Sequence, residues 1–216
     1  MHQKRKSIPN TWPIPRKGKA YIMAPRSPHS LAHSLSLLVI IRDILKLGKN
    51  AKEAKAIIKS GEIEINNKKI IDEKFGPGLL DIVHIKKIKK SYILTITEGG
   101  KLALKEISNP KFKVSKVIGK RIINKKQVQI NLMDGRNFIV KEKINTDDSV
   151  LIDLEKKTIL KILPLKKDAN IFIIKGKWQG HFAKVNELKG SNVEIKVDDK
   201  KTIIPNKNII VIEEKW

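Results

Sequence analysis

The sequence predicts an α+β fold that is mostly β, with a basic extended arm at its N-terminus. Three observations predict it. Apolar residues recur at helical spacing only between Ser34 and Gly61. Beyond Ile63, short apolar runs are separated by turn residues such as Asn66-Asn67, Gly99-Gly100 and Asp134-Gly135. Before Ser34, five of the nine prolines fall among lysines and arginines, and no acidic residue precedes Asp43. The expected organisation is an arm over residues 1–33, a small α/β domain over 34–85, a central β domain over 86–167 and a small barrel over 168–216.

The arm carries Lys4, Arg5, Lys6, Arg16, Lys17, Lys19 and Arg26, of which Arg5, Lys6, Arg16, Lys17 and Arg26 are singled out as candidate contacts. Its prolines fix φ and remove backbone donors, so neither helix nor sheet ladder is expected. A cationic segment without a core of its own orders on a polyanion. Trp12 and Tyr21 lie among the charges, where aromatic rings can stack on unpaired bases.

Ser34–Leu47 reads as a helix with a wide apolar arc, on which only Val39 falls to the polar side. Arg42 and Lys46 share the opposite side, and Gly48 is placed to end the helix. Asn50 followed by Glu53 is a capping-box pattern opening a second helix. Ala51, Ala54, Ile57 and Ile58 form its apolar stripe, Lys52, Lys55 and Lys59 share an adjacent face, and Lys49 precedes its cap. Ile63 and Ile65 then alternate with acids, Asn66-Asn67 suits a two-residue hairpin, and the return strand begins at Ile70. Gly76-Pro77-Gly78 is a turn, and Leu79–Ile85 closes the unit.

The central segment offers strands at Tyr92–Thr97, Leu102–Ile107, Val114–Ile118, Gln127–Leu132, Asn137–Val140, Val150–Leu154 and Thr158–Leu163, broken at Asn109-Pro110. No residue there stands out chemically. After Asp168 come strands at Ile171–Lys175, Ala183–Val185, Val193–Val197 and Ile209–Ile212. The loop Gly176–His181 combines two glycines with Lys177, Trp178 and His181, side chains suited to phosphate contact and base stacking.

Charge narrows the function. A formal net charge of +24 on 216 residues calls for a polyanionic partner. The longest apolar run, Leu37–Ile41, falls far short of the ~20 residues of a membrane-spanning helix, and no secretory signal is expected. The chain has no cysteine, which excludes disulfides and thiolate chemistry. His29 and His33 stand four apart beside a proline without a third ligand, so no metal is expected, and His29 is assigned to hydrogen bonding in the arm or with RNA. Asp81 with His84 reads as structural rather than catalytic, and Asp147-Asp148 and Asp198-Asp199 read as turn acids. No phosphate loop, nucleophile elbow or HExxH motif is present, so neither enzyme activity, cofactor nor small-molecule substrate is expected.

Asn50–Ile65 resembles the S4-type RNA-binding domain, with Asn67 where a glycine commonly follows the hairpin asparagine. Ile171–Val185 resembles a KOW element, the motif of small SH3-like barrels, with Ala183 where a third glycine is common. The succession Pro9–Lys17, Pro28-His29, Ile41-Arg42-Asp43 and Phe75–Val83 resembles the S4e family of archaeal and eukaryotic small-subunit ribosomal proteins, and the length is closer to the archaeal form. The resemblance implies a structural, ribosome-bound, cytoplasmic protein. Its partners would be small-subunit ribosomal RNA and neighbouring ribosomal proteins. A free RNA-binding or regulatory factor built from the same modules is the competing reading. An RNA-modifying enzyme would need a larger catalytic domain than the central segment provides.

Overall fold

The structure, a computed structural model, describes residues 2–108, 110–124, 127–197 and 200–213. Asn109, read above as part of a break, and Asp198 and Asp199, read as turn acids, lie outside the described residues. The chain divides into two compact units. One runs to Ile96 and includes Gly100–Lys111; the other comprises Thr97–Gly99 and the chain from Phe112.

In the first unit, β1 (His2–Lys4) pairs antiparallel with β2 (Tyr21–Met23). The expectation of an arm without a core is corrected here. Ile8, Trp12, Ile14 and Ile22 are buried. The Trp12 indole donates to the Leu31 carbonyl at 2.9 Å, and the Thr11 hydroxyl donates to the Ala32 carbonyl at 2.6 Å. Prolines prevent long ladders but do not stop apolar side chains from leaving water.

The first helix is shorter than its apolar period suggests. Ser34–Ser36 run alongside the Gly76-Pro77-Gly78 turn, with Leu37 N donating to Phe75 O at 2.8 Å. Helix α1 (Leu37–Val39) passes directly into a π-helical stretch, Ile40–Ile44. Leu37 to Ile41 are all buried, Val39 included, because packing encloses this turn on every side. Lys46, at φ 53°, reverses the chain ahead of Gly48. Gly48 serves a close approach instead: a Cβ there would sit 2.9 Å from the Ala54 nitrogen.

Helix α2 (Ala51–Lys59) has the expected cap. Glu53 N donates to Asn50 Oδ1 at 2.9 Å, and the Glu53 carboxylate accepts from Lys49 N at 2.8 Å. Ala54 and Ile58 face the core. The hairpin of β3 (Ile63–Ile65) and β4 (Lys68–Lys69) turns on Asn66 and Asn67 at φ 49° and 62°. The return strand therefore precedes Ile70, and Ile71 is exposed.

Strands β5 (Ile82–Ile85), β6 (Lys90–Ile96) and β7 (Leu102–Ile107) complete an antiparallel sheet in the order β4-β3-β5-β6-β7. Of the strands assigned by sequence to the start of the central β segment, β6 thus hydrogen-bonds onto β5 and β7 onto β6. Alternation marks a strand but not the sheet it joins.

Among the described residues the second unit holds two five-stranded antiparallel sheets. The first comprises β8 (Phe112–Asn124), β9 (Gln127–Leu132), β10 (Asn137–Val140), β11 (Ser149–Asp153) and β12 (Thr158–Leu163), in the order β10-β9-β8-β11-β12. Val117, Ile130, Leu132, Ile144, Val150 and Ile152 fill its core. The second comprises β13 (Asn170–Ile173), β14 (Phe182–Lys189), β15 (Asn192–Val197), β16 (Lys200–Pro205) and β17 (Ile209–Val211), in the order β16-β15-β14-β13-β17. Ile171, Ile173, Val185, Val193 and Ile195 are fully buried within it. Asp148 closes its turn, accepting from Asn145 N and Leu165 N at 2.9 Å each.

Candidate nucleic-acid interface

The cationic residues sort into those tied into the fold and those left facing outward. Arg42 belongs to the first group. Its Nε and Nη2 both donate to the neighbouring Asp43 carboxylate, at 2.9 and 2.7 Å. That pairing raises the guanidinium pKa and offsets its charge locally. Lys55 lies 3.0 Å from the Glu73 carboxylate, which it holds below its ordinary pKa. The face predicted to offer Lys52, Lys55 and Lys59 equally is therefore uneven. Lys52 and Lys59 are exposed, and Lys55 fastens the 70–75 segment to α2.

Trp12 and His29 are corrected as direct contacts. Trp12 is 1% exposed, with no face for a base to stack upon. His29 is buried against Gly78, and its Nε2 lies 3.5 Å from Asp81 Oδ2. Asp81 in turn accepts from Gly78 N at 2.7 Å and from Asn66 Nδ2 at 2.8 Å. These contacts knit the hairpin, the Gly-Pro-Gly turn and the end of the arm together. They also show why Asp81 and His84 do not form an acid–base pair: His84 Nδ1 meets the Ser91 hydroxyl at 2.8 Å.

Lys6, Arg16, Lys17, Arg26, Lys46 and Lys49 are exposed. Arg16 still spends one donor on the Ile8 carbonyl at 3.0 Å, and half-buried Arg5 donates to the Pro15 carbonyl at 3.1 Å. Both shape the loop between β1 and β2. A groove of about 520 Å³ then brings Arg5, Lys19 and Tyr21 beside Arg42, Lys49 and the start of α2. Tyr21 is 60% exposed, unlike Trp12. A cationic groove with an accessible aromatic ring suits a nucleotide segment, with phosphates on the cations and a base on the ring.

Two sets of exposed lysines were not singled out by the sequence reading. Lys19 carries the same charge as its neighbours, and nothing local marks it as lining a groove. Lys87 and Lys89, exposed in the turn after β5, had a visible signal in the run Lys86-Lys87-Ile88-Lys89-Lys90.

In the second unit, Trp178 is half-buried and packs on the barrel core, contrary to an exposed stacking ring. His181 meets it edge-on at 5.6 Å, and the Lys177 ammonium stands 5.7 Å from the indole centroid. Gly176 and Gly180, at φ 108° and 88°, shape the loop so that Lys177 faces solvent.

Comparison with known proteins decides the family. The small ribosomal subunit protein eS4 of Methanococcus maripaludis is 36% identical over 198 residues, covering 87% of this chain and 81% of the relative. The chain belongs to the S4e family. The eS4 protein of Archaeoglobus fulgidus is 34% identical over 190 residues, covering 88% of this chain and 80% of its own. The model of ribosomal family S4e matches residues 88–159. The crystal structure of the 30S ribosomal protein S4e from Thermoplasma acidophilum superposes with a TM-score of 0.73 at 25% identity, covering 83% of this chain and 95% of that one. The mostly β architecture with several sheets agrees with the S4e fold.

Proposed function

We propose that this S4e-family chain is a structural constituent of the small ribosomal subunit that binds folded ribosomal RNA through separate cationic surfaces. The observation that carries this reading is the exposed basic surface of the first unit. There Lys49, just before α2, and the arm cations Arg5 and Lys19 flank one groove with Tyr21 at its wall, and Lys52 and Lys59 are exposed on α2 itself. Phosphate contacts of this kind position a protein without reading sequence, as holding a folded RNA requires.

We assign RNA contact to Lys6, Arg16, Lys17, Lys19, Arg26, Lys46, Lys49, Lys52, Lys59 and Lys177, with Tyr21 stacking on a base. Arg5, Trp12, His29, Arg42, Lys55, Trp178 and His181 support these surfaces from within the fold. In this reading residues 34–85 form an S4-type module and residues 168–216 a KOW barrel. No catalytic step is invoked, and neighbouring subunit proteins complete the surroundings.

Sedimentation of cell extract tests the reading against a free regulatory factor. Near-stoichiometric co-migration with small subunits that weakens with rising salt is expected. A predominantly free pool at low salt contradicts it.

A further inference from the structure

The central sheet of the second unit has two edges whose outer sides carry no strand among the described residues: β10 pairs only with β9, and β12 only with β11. The two edges approach each other across a groove of about 450 Å³ lined by both, from Phe138 to Glu142 and from Lys157 to Ile162. The sheet is thus a barrel with one open seam.

The seam is apolar inside and out. Phe138 and Val140 from one edge, and Ile159 and Ile162 from the other, pack on the core. Ile139 and Leu160, which alternate with them, are 63% and 49% exposed. Exposed edges with branched apolar side chains invite another strand, and natural proteins blunt or cover them. Only a segment that supplies backbone donors and acceptors together with alternating apolar side chains satisfies both walls. Nucleic acid lacks the alternating apolar side chains. Lys141 and Lys157 are exposed on the rim, opposed by Glu142, and Lys161 is drawn to Glu213. The rim therefore favours an occupant with acidic flanks.

We propose that this seam is a strand-docking site. Its occupant is an extended segment of a partner protein, alternating apolar with small polar residues and acidic at its ends. The strand lies between β10 and β12, closes the barrel, and covers Ile139 and Leu160. The site is separate from the cationic groove of the first unit, so the two readings fail independently.

Hydrogen exchange on the full chain tests it. The probe is a synthetic peptide of about seven residues, alternating valine and threonine with aspartates at both ends. Saturating probe should slow the amides of 137–140 and 158–162 about tenfold or more, with a lysine-ended control weaker by a similar factor. The exposed pair Ile139→Lys and Leu160→Lys should lower probe affinity about tenfold while leaving the melting temperature and RNA binding unchanged. Absent protection, equal protection by a single-stranded RNA oligonucleotide, or protection that grows with protein concentration without probe would each overturn the proposal. So would an unaltered probe affinity in the double variant.

Discussion

The ammonium of Lys116 lies 2.8 Å from Asp147 Oδ1 and also donates to the carbonyls of Asn206 and Ile209, at 2.6 and 3.0 Å. Its side chain is 3% exposed. One lysine on β8 thus joins the turn before β11 to the turn before β17, linking the two sheets of the second unit. Burial pushes its pKa down, and the Asp147 carboxylate only partly offsets that.

Replacing Lys116 with Met should destabilise the chain by about 1–3 kcal/mol, because two carbonyls and a carboxylate lose their donor. The pH dependence has a definite sign. The folded pKa lies below the unfolded value near 10.5, so the unfolded chain binds more protons between the two. The Lys116 contribution is therefore flat below the folded pKa and rises with pH across that window. Urea unfolding of both proteins from about pH 7 to pH 10 checks this: the gap between them should widen on the alkaline side.

Asp81 is the second point at which a single change should be costly. Its carboxylate holds the Gly78 amide and the Asn66 side chain, and Asn66 Oδ1 accepts from Ile82 N at 3.1 Å. Asp81→Ala should cost about 2–3 kcal/mol in chemical denaturation. Asn67→Gly, in the same hairpin, should stay within about 0.5 kcal/mol of the parent, since glycine adopts the positive φ of this position without strain.

Lys55 and Glu73 supply an acid-sensitive tether. Glu73 has its pKa lowered first by the hydrogen bond from Lys55. A depressed carboxylate pKa gives stability that is present above the unfolded value and lost as pH falls through the folded one. Glu73→Gln should therefore be less stable than the parent at neutral pH and approach it as acid protonates Glu73, below the usual glutamate range. Thermal melts of the two proteins across that range measure the convergence.

These residues also mark what could be read from the sequence. The Asn50–Glu53 cap and the Asn66-Asn67 hairpin were legible because each is a local arrangement of side chain and backbone. The burial of Trp12 was not, since the Leu31 carbonyl that accepts its proton reaches it through tertiary folding. Lys113 and Lys116 were missed for a related reason. Their strand was read from Val114, yet Lys113 and Lys116 are both 2% exposed and Ile118 is 61% exposed. A buried lysine needs a partner, and Asp134, 2.7 Å from Lys113, comes from a distant turn. The cationic face of α2 was legible as charge, but its division into exposed Lys52 and Lys59 and tethered Lys55 depended on the position of Glu73.

The central claim is that exposed lysines around α2 clamp ribosomal RNA phosphates. The most direct test is a salt-dependent binding titration on a small-subunit ribosomal RNA fragment, comparing the parent with the combined Lys49→Ala, Lys52→Ala and Lys59→Ala variant. Parent affinity should fall about 10³-fold or more between roughly 50 and 200 mM salt. The variant should keep its melting temperature, bind about tenfold or more weakly, and show a log–log salt slope shallower by about two to three. An unchanged affinity and slope in the folded variant would contradict the account.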